Sequence, residues 1–346
     1  MARFIFDVAL CILLLTCVFC LTEPVLKESQ AGIKGELGIV TKEFLTNFAT
    51  NEAGVAVRNV SYDESNTKKE TSRRLEWNRK IALKSGWNMV LSPAGDLYHR
   101  YIADPYSPSF SIMRMSFSKT EINEAGKTRW GLRLGTRFGL LRFHKDGDPN
   151  HGFQLDIEAG FIGQFDIDNN WDNIGWDGIY GIQLAWAPFG GFAFRFGTLH
   201  DSSHVGDEYA ERTGRERINY TREDLILGGS WDFTKKWRIY AEVGYARELR
   251  NEDLMDPLRV LYGLEYVSSD SFWKGRLGWY AAANVSSYEE NDWNLNNTIQ
   301  VGLIFSAKDL SRNYRLGIEY YNGRSHFGEF FQDYEKYLAV GFWFDL

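Results

Sequence analysis

Beyond Phe110 apolar and polar residues alternate with period two, the period that sends successive side chains to opposite faces of a β-strand. In the segment 152–165 (GFQLDIEAGFIGQF), Phe153, Leu155, Ile157, Ala159, Phe161 and Phe165 share one face, and Gln154, Asp156, Glu158 and Gln164 share the other. One face suits hydrocarbon and the other a wet interior. The alternation recurs at 129–143 with Arg133 and Arg137 on the polar face, at 236–247 with Arg238 and Glu242, and at 312–321 with Arg315 and Glu319. Segments of this kind predict strands near 110–118, 129–143, 152–165, 178–187, 191–200, 222–233, 236–247, 258–267, 274–286, 297–306, 312–321 and 336–346. Odd-numbered connections are long and even-numbered ones, such as 188–190 and 234–235, are short. The pattern predicts an all-β fold, a transmembrane antiparallel up-and-down β-barrel of about 12 strands with its long loops outside. A soluble sandwich or lipocalin-like barrel also alternates, but it buries its apolar face. Charged residues recurring on the inner face, and Trp and Tyr clustered near strand ends, favour the membrane barrel.

The two ends of the chain extend this picture. The first twenty residues hold all three cysteines (Cys11, Cys17, Cys20) in an apolar run from Val8 to Leu21, which reads as a signal peptide over 1–22; lipidation at Cys20 is the alternative. Residues 23–86 are polar, with a charge-rich stretch from Tyr62 to Arg79, and are expected to form a partly disordered periplasmic extension. Residues 87–109, punctuated by Pro93, Gly95, Pro105 and Pro108, are expected to be a turn-rich lead-in to a barrel over 110–346. The last ten residues, YLAVGFWFDL, alternate to Leu346 and resemble the C-terminal signal read by barrel-assembly machinery, which makes 336–346 the expected contact with that partner.

Composition narrows the function classes. Aromatic residues are 16% of the chain, with 33 Gly against 7 Pro, a mixture that suits many strands. A net charge of -7 without a cluster of Lys and Arg argues against nucleic acid as a partner and leaves outer-membrane lipids as the expected surroundings. On the inner face, Arg133, Arg137, Arg195 and Arg238 opposite Asp156, Glu158, Glu242 and Glu319 are expected to plug the lumen with salt bridges.

Several phrases resemble an uncharacterised bacterial outer-membrane family, domain of unknown function 1207: WNMVLSPAGDLYHRYIADPYSP from Trp87, LHDSSHVGDEYAERTGRERINYTRE from Leu199, WRIYAEVGYA from Trp237 and YYNGRSHFGEFF from Tyr320. The resemblance implies a barrel in the outer membrane of a Gram-negative bacterium and transfers no catalytic residue.

One constellation carries chemistry. His200, Ser202, Ser203, His204, Asp207 and Glu208 fall within nine residues at the start of the longest outer loop. His200 and Ser202 share the parity of Phe192, Phe194 and Phe196, so both are expected to face lipid. A His two residues from a Ser on one strand face can activate its hydroxyl for acyl transfer. The pair is similar to the HxS of outer-membrane phospholipase A, where an Asn on the adjacent strand orients the His; here Asn219, Asp207 or Asp224 could take that role. The expected catalytic set is Ser202, His200, His204 and Asp207. No cofactor is expected, although His200, His204, Asp207 and Glu208 are the candidates for a metal, with calcium favoured by carboxylates and zinc by imidazoles. No helix is expected across this stretch. The competing reading is a polar loop held together with Arg212, Arg215 and Arg217. Asn322, Arg324, Ser325 and His326 in the last outer loop would join the site only if that loop folds over the barrel. The leading functional expectation is a non-enzymatic barrel, structural or a narrow solute passage; the alternative is a lipid acyl hydrolase at the outer leaflet using Ser202 and His200.

Overall fold

The computed structural model describes residues 80–83, 86–250, 253–268, 277–307 and 312–345. The expected signal peptide, the polar extension as far as residue 79, and Leu346 lie outside the described residues. The described elements are β1 (Lys80–Ala82), β2 (Trp87–Leu91), β3 (Phe110–Thr120), β4 (Thr128–Lys145), β5 (Gly152–Asp166), β6 (Asp172–Ala187), β7 (Phe192–Val205), α1 (Asp207–Thr213), β8 (Thr221–Trp231), β9 (Trp237–Arg250), β10 (Leu258–Val267), β11 (Leu277–Tyr288), β12 (Leu295–Ala307), β13 (Arg312–Arg324) and β14 (Tyr334–Asp345). Each strand from β3 to β14 pairs antiparallel with the next, and β14 closes on β3 from Glu335↔Thr120 to Phe344↔Phe110. Closure leaves no unpaired edge on the closed wall, which is what a sheet facing hydrocarbon requires.

All twelve expected barrel strands are present. Several run further towards the long-loop rim than the alternation suggested: β7 continues to Val205 and β6 begins at Asp172. Near that rim both faces become polar, so the alternation fades while the backbone ladder continues. The face assignments hold as well. Phe138, Ile157, Ile182, Phe196, Leu227, Val301 and Leu338 are exposed outward, whereas Arg133, Arg137, Gln154, Asp156 and Glu158 are buried inside.

The lumen is crossed by a lattice of ion pairs. Arg133 meets Glu319 at 3.1 Å, Arg137 meets Glu158 at 2.8 Å, Arg195 pairs with Glu242, and Arg238 meets Glu265 at 3.3 Å. Asp156, expected among the acids of this lattice, instead accepts from Gln154 at 2.6 Å.

The lead-in does more than connect. β2 pairs with the 141–145 end of β4, on the same flank that β3 occupies higher up, and β1 adds to β2. Between Leu91 and Phe110 the chain therefore leaves the wall and folds into the lumen. β4 makes room with glycines: a Cβ at Gly139 would lie 2.8 Å from Pro93, and one at Gly135 would lie 3.3 Å from Pro108. Inside, Tyr101 stacks on Tyr240 at 4.0 Å and donates to Glu242 at 3.0 Å, while Arg137 donates to the Tyr98 carbonyl and Glu265 accepts from the Ile102 N–H at 2.7 Å. Wall side chains thus satisfy backbone groups that no strand partner reaches. Among the described residues no helix is long and apolar enough to cross a membrane.

Candidate functional site

β7 presents two rows of side chains. Outward run Phe192, Phe194, Phe196, Thr198, His200, Ser202 and His204; inward run Arg195, Asp201 and Ser203. The outward row changes from aromatic to polar as it nears the long-loop rim. Its neighbours on β6 are in register: Tyr180 opposite His200, Gly178 opposite Ser202 and Trp176 opposite His204. Tyr180 stacks on the His200 ring at 4.3 Å and Trp176 on the His204 ring at 4.2 Å. Between these two stacked pairs, Gly178 presents no side chain opposite Ser202.

On the other flank, β8 places Thr221 opposite Ser202 and Glu223 opposite His200. His200 Nδ1 is hydrogen-bonded to the Glu223 carboxylate. With Nδ1–H donated to the acid, the neutral ring keeps Nε2 as an acceptor, the tautomer a general base needs. The Ser202 hydroxyl lies 3.4 Å from Nε2 of His204, so in this rotamer it is His204, and not the expected His200, that Ser202 addresses. Ser202 is flanked on its own face by an imidazole two residues away on either side. Rotation about χ1 gives the Ser202 oxygen other staggered positions on the same face.

A β-bulge completes the surroundings. The β8–β9 register shifts between Glu223 and Asp224, so that Asp224 faces Ala246 but Glu223 faces Glu248. The extra residue turns Glu248 and Arg250 outward beside Glu223 and Thr221, as bulges beside functional sites commonly do. His200, Ser202, Thr221, Glu223, Glu248 and Arg250 line one groove of about 390 Å³, within the range of small-ligand sites.

None of the three residues expected to orient the imidazole does so. Asp207 pairs with Arg217, Asp224 points into the lumen against Arg222 and Arg259, and Asn219 sits in the loop with φ 56°. The carboxylate on His200 is Glu223, which the sequence reading passed over. Its signal was parity: Glu223 alternates with Leu225 and Leu227, which face outward, whereas Asp224 does not.

The four metal candidates separate. His200 and His204 face outward on β7, while Asp207 and Glu208 belong to α1, a short helix where none was expected. Gly206 precedes it, Asp207 and Glu208 occupy its first turn, where acids complement the helix dipole, and Gly214 ends it in the left-handed conformation. Among the described residues no group of three His, Cys, Asp or Glu is placed to hold a metal.

The inward row belongs to a different structure. Ser203 donates to Asp177 and accepts from the Glu329 N–H at 2.8 Å; the Glu329 carboxylate in turn accepts from the N–H groups of Ile218 and Tyr220 at 2.8 and 3.1 Å. The last long loop therefore folds across the barrel mouth as a lid. It brings Ser325 and His326 to the cavity over the lumen and Glu329 against Ser203, none of them to Ser202. The expected loop network exists here too, with Arg212 on Asp172 at 2.7 Å and Arg215 on the Glu329 carbonyl at 2.9 Å. Between lid and lumenal segment remains a cavity of about 60 Å³; the short-turn end opens into a vestibule of about 1300 Å³.

Against solved structures, an active-site mutant of outer membrane phospholipase A from Escherichia coli aligns at 14% identity over 71% of this chain and 93% of that one, with a TM-score of 0.51, a likeness of fold. The Salmonella typhi outer membrane phospholipase, a dimer with bound calcium, aligns at 13% identity over 69% and 92%, with a TM-score of 0.49. LpxR from Salmonella typhimurium aligns at 13% identity over 69% and 100%, with a TM-score of 0.34. A search of curated proteins returned no match. Residues 50–346 match the family described as protein of unknown function (DUF1207), and the chain belongs to that family.

Proposed function

We propose that this protein is a serine-type acyl hydrolase of the outer membrane that cleaves ester-linked acyl chains of lipids at the outer leaflet. The observation that carries this reading is a serine hydroxyl set between two imidazoles on the outward face, one of them bonded to a carboxylate on the neighbouring strand. Ser202 is the nucleophile, His200 the base and Glu223 the group that orients His200. The Ser202 oxygen attacks the ester carbonyl as its proton passes to Nε2 of His200. Collapse of the tetrahedral adduct breaks the ester C–O bond, and the imidazolium returns the proton to the departing alkoxide. Water, deprotonated by the same imidazole, then releases the fatty acid and restores the serine. Lipid reaches the groove sideways from the bilayer, so no route through the lumen is needed.

The test is fatty-acid release from phosphatidylcholine in mixed micelles by the refolded chain. Wild type is expected to turn over and Ser202→Ala to lose activity; turnover unaffected by that change overturns the reading. A second reading, a non-enzymatic structural barrel in the same membrane, is favoured by the filled lumen. It predicts no steady pore current in planar bilayers and no lipid turnover.

A further inference from the structure

The groove that holds Ser202 carries more charge than ester cleavage uses. Two rows of side chains cross it from strand to strand. In one, Ser202 lies opposite Thr221 and Thr221 opposite Arg250; in the other, His200 lies opposite Glu223 and Glu223 opposite Glu248. All six line the groove. Ser202, His200 and Glu223 have work in the hydrolysis, and Glu248 and Arg250 have none. Both are exposed, and among the described residues neither the Glu248 carboxylate nor the Arg250 guanidinium forms an ion pair or a hydrogen bond.

The bulge makes this arrangement at a cost. Asp224 faces Ala246, so an unbroken ladder would set Glu223 against Arg247, a pair of opposite charges; the register shift sets it against Glu248 instead. Like charges directly opposite each other on one face of a sheet are destabilising, and a cation placed between them removes the penalty. The same shift puts Arg250 in the row of Ser202, two strand spacings or roughly 10 Å away. One glycerol backbone separates an acyl carbonyl of a phospholipid from its phosphorus, and with the reach of an arginine side chain it covers that distance. A guanidinium matches phosphate oxygens with paired N–H groups, and a carboxylate, which only accepts, takes the N–H groups of an ammonium. A lipid with phosphate and no cation would meet Glu223 and Glu248 as like charges.

We propose that Glu248 and Arg250 form a headgroup subsite that selects a glycerophospholipid carrying both a phosphate and a primary ammonium, the phosphate on Arg250 and the ammonium on Glu248. The proposal rests on the reading of Ser202 as nucleophile for its substrate, and it adds which lipid is held while the ester is cut.

The test separates binding from turnover. The refolded full chain carrying Ser202→Ala is titrated in detergent and EDTA with phosphatidylethanolamine, phosphatidylcholine, phosphatidylglycerol and lipid A, and bound lipid is read by native mass spectrometry. Phosphatidylethanolamine is expected to bind about tenfold tighter than phosphatidylglycerol or lipid A, whose phosphates bring no ammonium, and about fivefold tighter than phosphatidylcholine, whose quaternary nitrogen has no N–H to donate. Arg250→Gln is expected to weaken phosphatidylethanolamine about tenfold, and Glu248→Gln to weaken it while strengthening phosphatidylglycerol. Arg247→Gln, beside the bulge but outside the groove, is expected to change neither. With Ser202 intact, Arg250→Gln is expected to raise KM for phosphatidylethanolamine about fivefold and leave kcat within about twofold. Binding by the Ser202→Ala chain that ignores the headgroup, or a preference that survives both substitutions, overturns the subsite whether or not wild type hydrolyses lipid. Selective binding that both substitutions abolish, in a protein whose wild type releases no fatty acid, upholds the subsite and overturns the hydrolase alone. Folded barrels are recognised in every case by their heat-modifiable migration.

Discussion

Ser202 and Ser203 are adjacent in the chain and chemically identical, yet the two faces of β7 give them different surroundings. Ser203 lies in the lumen with its hydroxyl donating to Asp177 and accepting from the Glu329 N–H, buried among groups that are themselves bonded. Ser202 faces outward, part-exposed, with one long contact to an imidazole and an open groove before it. A buried serine with donor and acceptor both engaged holds structure; one beside a base and free to change rotamer is available for chemistry. The period-two geometry of the strand makes both in consecutive positions.

The sharpest way to break this contrast is to truncate each serine separately. Ser202→Ala should lower lipid hydrolysis by at least about a thousandfold while leaving unfolding unchanged. Ser203→Ala should do the reverse, leaving turnover nearly intact and destabilising the barrel by about 1–3 kcal/mol, because Asp177 Oδ1 loses its donor and the Glu329 N–H its acceptor. Paired activity and denaturant-unfolding measurements read both arms. If Ser203→Ala abolishes turnover at full stability, the assignment of the two faces is reversed.

The second prediction concerns the lattice rather than the groove. Glu242 is shared by Arg195, Arg259 and Tyr101. Glu242→Gln leaves two buried guanidinium groups under-compensated, at a cost of about 3–5 kcal/mol in unfolding free energy. Breaking an exposed pair such as Lys80 with Asp146, 3.4 Å apart, should have a far smaller effect, because water already screens it. Equal effects would mean that the lumen is wet enough to screen its charges.

The third prediction divides the outward cluster. Glu223→Gln keeps the size of the side chain but weakens its hold on the His200 tautomer, and should lower kcat about a hundredfold with little change in KM. His204→Phe keeps the stacking on Trp176 and should change turnover by less than about threefold if His200 is the base. The opposite ranking would make His204 the base and His200–Glu223 a structural pair.

Periodicity makes the wall legible in the sequence, because alternation over twelve segments is a repeated signal with a single geometric cause. Register across the long β7–β8 loop was not legible: nothing local to residues 206–220 states that His200 lies opposite Glu223. Parity would still have preferred Glu223 to Asp224. The lumenal path of residues 92–109 left no periodic trace, since its backbone is satisfied by Arg137, Arg238 and Glu265, which come from strands far away in sequence. α1 was hidden for a simpler reason: seven residues are too few to display a helical stripe.

The smallest effect expected separates the two closures of the lumen by pH. On the lid, burial, with Arg133 and Arg129 adding to it, pushes the His326 imidazole down to about 3. In the lumenal segment, burial raises the Asp104 carboxyl to about 6. The closed lid therefore excludes a proton that an open lid takes up near pH 6.5. Its stabilisation is complete above that value and is lost as pH falls towards 3. The docked segment instead keeps a proton that a released one gives up near pH 3.8, so its stabilisation is complete below that value and is lost as pH rises through 6. Hydrogen exchange compared at about pH 4.5 and about pH 7.5, corrected for intrinsic rates, should show the lid peptide 325–333 less protected at the lower pH and the segment 97–106 less protected at the higher. His326→Phe should remove the first difference and Asp104→Asn the second, each without touching the other. If both regions loosen in the same direction, the two closures act as one unit. Opposite directions instead mean that the two closures titrate independently, each through its own buried group.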